Sequence, residues 1–224
     1  MRQLVRDLAG ALIERVWDTA GTLGAIGAGD ARARRFAHMG PGSLVGFPPG
    51  PVMAPQMISI GRATLICPFV TLAVGMPGEP MERHPGPLLR IGDRCSIGRG
   101  SSLVARIGLV IEDDVTTAPN VYITDHNHNY EDPDVPIMRQ WPAEAPVRVG
   151  AGSWIGTGAV ILPGADIGRN VTVAAGSVVR GVVPDRSVVA GAPAKVVRRY
   201  EAETGWVPPL PPRHVTPPAG FVAR

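Results

Sequence analysis

Between residues 149 and 179 every sixth position is aliphatic: Val149, Ile155, Ile161, Ile167, Val173 and Val179. Gly or Ala follows most of them (Gly150, Gly156, Gly168, Ala174), and a residue that is usually small stands four places on (Ser153, Ala159, Ala165, Val171, Ser177). A period of six matches neither a helix nor simple strand alternation. It is a repeat, and one this short predicts a solenoid whose units bury their apolar faces only against their neighbours. About four residues make a short strand and two turn a corner, so three sides close a triangular coil of about 18 residues. The aliphatic side chain points inward, and backbone hydrogen bonds run from coil to coil between parallel strands. Stacking frames at 149, 167 and 185 puts Val149 over Ile167. Spacing alone leaves the hand open; the usual rule for parallel crossovers favours a right-handed one.

The same frame runs through Ile60, Ile66 and Leu72, breaks over 75–88 at Pro77, Pro80, Pro85 and Pro87, and resumes at Ile91, Ile97 and Leu103. It slips by two residues, continues through Ile111, Thr117 and Ile123, and breaks again over about 124–148. Ahead of it, Leu4, Leu8, Leu12 and Val16, widened by Val5 and Ile13, predict a helix over 2–18, expected to cover one open end of the solenoid. The expected organisation is therefore a helix and connector over 1–57, a β-solenoid over 58–198 with excursions at 75–88 and 124–148, and a tail over 199–224. The prolines of that tail favour extended geometry from 206 onward.

The chain has 224 residues, with 28 Gly, 24 Pro and 5% aromatics, which suits many tight turns and little room for rings. At 45% hydrophobic residues it is not a disordered chain. The net charge is +3, and Lys195 is the only lysine, so arginine carries nearly all the positive charge. No basic run interleaves with aromatics, which argues against nucleic-acid binding. Cys67 and Cys95 fall inside the repeat and read as small fillers. Asp7, Glu14 and Arg15 interrupt any apolar leader, and no stretch reaches membrane-spanning length, so the cytoplasm and no membrane partner are expected.

Three stretches carry a resemblance: Ala118-Pro-Asn-Val121 leading to Ile123-Thr-Asp-His126-Asn-His128; Ser153-Trp-Ile-Gly-Thr157 through Pro163-Gly164; and Ala174-Ala-Gly-Ser177 followed by Ala190-Gly-Ala-Pro-Ala-Lys-Val196. These resemble the hexapeptide-repeat acyltransferases, in particular the galactoside and maltose sugar O-acetyltransferases. The resemblance covers about 118–198 well and 58–117 by repeat only. It implies a left-handed parallel β-helix, acyl-CoA as co-substrate without a metal, a homotrimer with active sites between subunits, and a sugar or polysaccharide acceptor. Acetyl is the default acyl group, and succinyl would fit the arginine excess.

Acyl transfer to a hydroxyl needs a base for the acceptor proton, and an imidazole suits that work near neutral pH. The resemblance puts this role on His126 and an oxyanion-binding backbone N–H on Thr157. It places Trp154 at the coenzyme cleft, Ala175 and Gly176 against the pantetheine arm, and Lys195 and Arg198 near the coenzyme phosphates. His128 would share a face with His126 in an extended segment, binding acceptor or merely packing; Asp125 would face the other way and so not orient its neighbour. Where the galactoside branch carries acidic and amide side chains, this chain has Val104-Ala-Arg106-Ile-Gly108, which suggests an acidic acceptor read by Arg106 with Arg139 or Arg83. Ile137, Met138 and Trp141 are expected to bury against a neighbouring copy. The competing readings are an N-acyltransferase for an amino-sugar or amine xenobiotic, a γ-type carbonic anhydrase built on the same coil, and a non-catalytic scaffold. The spacing of His84, His126 and His128 is wrong for the three histidines of a zinc site.

Overall fold

The structure is a computed structural model and describes residues 2–76 and 84–209. Its body is a left-handed parallel β-helix with three faces. The first face stacks seven strands, from His38–Met39 to Val182–Val183. The second runs from Leu44–Val45 to Ser187–Gly191, and the third from Val52–Met53 to Val178–Val179. Pairing within each stack is parallel and one coil apart. On the first face Ile91, Ile111, Val149 and Ile167 lie in register; on the third, Leu72, Leu103, Ile123, Ile161 and Val179 do. Bonds such as Gly150 N–H to Ile167 O (2.8 Å) and Gly156 N–H to Val173 O (2.8 Å) join the coils.

The six-residue period survives unbroken from Val149 to Val179 because each frame residue there is buried, and so is the residue four places on, which must fit a corner. A buried isoleucine contributes about 1.5–3 kcal/mol. Thr117, the one polar frame residue of the series, is tolerated because its hydroxyl accepts the Gly98 N–H at 2.8 Å. Glycine after the frame residue has a steric reason: a Cβ on Gly150 would stand 2.5 Å from the Gly168 carbonyl carbon.

Several expectations need correction. The rod begins one coil early, because His38–Met39, Leu44–Val45 and Val52–Met53 lie inside the expected connector. The last coil is two residues short: Ile167 pairs with Val183, not with a frame at 185. The helix spans Arg2–Gly24, and it does not cover the rod's end. Leu8, Leu12, Ile13, Val16 and Trp17 are exposed, while the end is filled by the buried Ala33 and Phe36. Arg32 ties down only the helix's last turn, donating to the carbonyls of Leu23, Gly24 and Ala25. Finally, the expected tail starts inside a sheet: Ala194–Glu201 and Gly205–Val207 add two antiparallel strands to the second face. Among the described residues no helix is long and apolar enough to cross a membrane.

Candidate active site

The two-residue slip in the repeat builds the centre of the site. A coil without extra residues, such as that from Val149 to its partner Ile167, spans eighteen positions, whereas Ile91 and its partner Ile111 are twenty apart. The extra length forms the corner Arg106-Ile107-Gly108, which turns three successive backbone N–H groups toward one point. The carboxylate of Asp125, one coil on, sits there. Arg106 N–H lies 2.8 Å from both of its oxygens, and Ile107 and Gly108 donate to Oδ2 at 2.8 and 2.7 Å. Such a concave row of amides binds anions.

Asp125 is fully buried. Burial works against its charge, but a bond from His126 and those from the Gly108, Arg106 and Ile107 amides outweigh it, holding its pKa below the ordinary value. Its Oδ1 lies 3.0 Å from His126 Nδ1. An ionised carboxylate only accepts, so the ring carries its hydrogen on Nδ1 and presents an Nε2 lone pair. Thr124 Oγ1 donates to the His126 carbonyl at 3.1 Å and stands 3.3 Å from Nδ1, where it can accept from the same ring hydrogen. The His126 side chain is 20% exposed, anchored on one side and open on the other.

Asp125 is thus the group that orients His126, contrary to expectation. Strand alternation fails here because the chain leaves the third face at Thr124 and turns the next side chain into the corner. The slip at 104–108 was the available signal: extra residues at a corner mean extra unpaired amides, and an aspartate one coil later can fill them.

The excursion after His126 returns through a short antiparallel neck that pairs His126 with Glu144 and Asn127 with Ala143, while Ala145 N–H donates to Asp125 O at 2.9 Å. Arg106 serves this neck and is not free to read an acceptor. It is 2% exposed, its Nε lies 3.0 Å from Glu144 Oε1, and its guanidinium stacks 4.2 Å from the centroid of the Trp141 ring. His128 and Arg139 are exposed on the excursion beyond the neck. Arg83 lies outside the described residues. The acidic acceptor expected from these arginines therefore loses its central residue. Ile137, Met138 and Trp141 are exposed in the single chain.

The remaining candidates occupy a different edge. His126 follows the third face, whereas Thr157, Ala175 and Gly176 stand at the corners that precede it. A strand's width, about 13 Å for four residues, separates the two edges. At the preceding edge, Gly176 N–H donates to Thr157 O at 2.8 Å, stacking the two corners. Gly158 and Gly176 both have φ of +67°, and a Cβ on either would meet only open space, leaving a bare ledge. Among the described residues the Thr157 N–H is outside the coil-to-coil ladder; proline holds the equivalent place one coil earlier, at Pro119. Trp154 is 45% exposed on the adjoining second face. Lys195 is exposed in the terminal hairpin, and Arg198 there donates to Pro209 O at 3.1 Å.

Comparison with known proteins agrees with this architecture. Residues 146–181 match the bacterial transferase hexapeptide family (six repeats), and residues 88–125 match the hexapeptide repeat of succinyl-transferase. A probable acetyltransferase of Mycobacterium tuberculosis is 40% identical over 121 residues, covering 54% of this chain and 40% of that protein. A galactoside O-acetyltransferase of Lactococcus lactis is 30% identical over 154 residues, covering 58% of this chain and 72% of its relative. The chain spans about half the length of several such relatives. In fold it is similar to AntD, an N-acyltransferase from Bacillus cereus crystallised with dTDP and 3-hydroxybutyryl-CoA (TM-score 0.62, 19% identity, 77% of this chain and 89% of that one). Repeat, register and relatives converge, and the chain belongs to the hexapeptide-repeat acetyltransferases.

Proposed function

We propose that this chain transfers an acyl group, acetyl by default, from coenzyme A to a hydroxyl of a sugar or polysaccharide, with His126 as general base. The Asp125–His126 pair on its amide corner carries the reading: the buried carboxylate, held in place by three backbone amides, fixes the tautomer and aim of the ring beside it. The acceptor oxygen attacks the thioester carbonyl carbon while Nε2 takes its proton. The C–S bond then breaks, and the departing sulfur recovers a proton from the imidazolium. The Thr157 N–H suits the oxyanion formed in between. The Gly158 and Gly176 ledge, flanked by Trp154, fits a long flexible thioester arm because no side chain obstructs it, and Lys195 is a cation for the phosphates.

His126 and Thr157 stand on opposite edges of one chain, so a complete site takes two copies. Outward positions on the third face between them are uncharged: Thr71, Ser102, Val104, Tyr122, Val160 and Val178. Three copies turning this face toward a common axis bring the His126 edge of each against the Thr157 edge of the next. That arrangement supports a homotrimer with three sites between subunits. An amine acceptor would use the same groups, so the acceptor is decided by assay.

The experiment is a matrix of acyl-CoA donors against neutral sugars, acidic sugars and amines, read by thiol release, with His126→Ala alongside. The variant is expected to fold and trimerise yet lose about two or more orders of magnitude in rate. A near-normal rate would assign the base to another residue.

A further inference from the structure

We infer that Arg106 is a positioning residue for the base, acting as a latch that holds the neck of the excursion against the rod. This rests on His126 being the base. The residue works through two separate parts. Its backbone N–H holds both oxygens of Asp125, which fixes the ring from behind. Its side chain reaches the other way, to Glu144 at 3.0 Å and to the Trp141 ring at 4.2 Å. Glu144 is the residue paired with His126 across the neck. His126 is therefore held between a carboxylate seated on the Arg106 backbone and a strand held by the Arg106 side chain.

The neck has little else to keep it in place. It is two residues wide on each strand, and an isolated two-stranded ribbon is marginal in water. Among the described residues, the backbone ties between this return segment and the coils are Ala145 N–H to Asp125 O at 2.9 Å and Gly164 N–H to Ala145 O at 3.1 Å, both at one residue. A buried guanidinium on a carboxylate and an indole face supplies what the ribbon lacks. It is flat, always charged, and can meet an acid edge-on while stacking face-on, which an ammonium cannot do. Arginine at the slipped corner is thus read as internal scaffolding of the site, with the acceptor left to other groups.

The test separates this role from general stability. Arg106→Met keeps the backbone amide, so the seat of Asp125 survives and only the latch is lost. A displacement of about 1 Å at a catalytic group can cost about 10²-fold. Arg106→Met is expected to lower kcat by about that factor with KM for acyl-CoA unchanged. Arg106→Lys should recover little of it. In a His126→Ala background, Arg106→Met should leave the residual rate nearly untouched, because the ring through which it acts is gone. Should Arg106→Met fail to fold, Glu144→Gln and Trp141→Leu each cut one arm and are judged by the same criteria. A folded Arg106 variant with normal kcat overturns the inference, as does an equal loss in the presence and absence of His126. If His126→Ala itself retains full activity, the reading of the base fails instead.

Discussion

Replacing Asp125 with asparagine tests the centre of the site with one atom. The side chain keeps its size, but one acceptor oxygen becomes a two-hydrogen donor. Two orientations are open. If the amide nitrogen takes the Oδ2 place, it opposes the N–H groups of Ile107 and Gly108, breaking bonds of 2.8 and 2.7 Å inside a fully buried corner. If it takes the Oδ1 place, it points at His126 Nδ1, 3.0 Å away. The second keeps more bonds, so the corner selects it. The ring must then accept at Nδ1, and its hydrogen moves to Nε2, the atom meant to take the acceptor proton. Losing general-base catalysis costs about 10²–10⁴ in rate. Replacing a charged acceptor with a neutral one weakens each amide bond by about 1 kcal/mol, or about 2–3 kcal/mol overall. The stability difference depends on pH in a defined direction. The pKa of Asp125 in the folded protein lies below the ordinary 3.8, so its contribution is complete above that value and is lost as pH falls through the lower, folded one. Wild type and Asp125→Asn should therefore differ in chemical denaturation at pH 7 and converge in strong acid, while thiol release at pH 7 falls at least about a hundredfold. A folded Asn variant within about fivefold of wild-type kcat would refute the dyad.

Two further outcomes follow from the rod. Ile161 is stacked between Ile123 and Val179 and has no exposed surface, so Ile161→Ala should cost about 2–5 kcal/mol, seen as a lowered Tm by calorimetry. Trp154 is 45% exposed on the face beside the glycine ledge, so Trp154→Ala should raise KM for acyl-CoA several-fold with Tm changed by little, the reverse of the Ile161 result.

The rod is legible in the sequence because its period comes from burial, which acts directly on residue type. Ile161 and Ile167 must be aliphatic, and Ala159 and Ala165 must be small, whatever surrounds the chain. The slip after Leu103 is equally visible as an offset, but its use is not, because an offset reveals extra backbone without revealing which side chain will occupy it. Asp125 escapes the pattern because strand alternation does not extend one residue past the end of the strand. Arg106 escapes it because sequence supplies a charge but not its partners: Glu144 lies thirty-eight positions away and meets it only after the excursion folds back. The helix differs again. Its stripe is plain in the sequence, and covering an end is a reasonable use for it, yet the nearer Phe36 already fills that place.

The neck also divides the excursion into two regions with different freedom to vary. Beyond it, residues 129–140 bond mainly among themselves, as when Gln140 donates to the carbonyls of Asp132 and Val135 at 2.8 Å. Substitutions and length changes there leave the imidazole's support unaltered, because that support is completed at Glu144 and Asp125. Relatives sharing this base could diverge in what they acylate by exchanging a dozen outlying residues, with the proton-transfer machinery inherited intact.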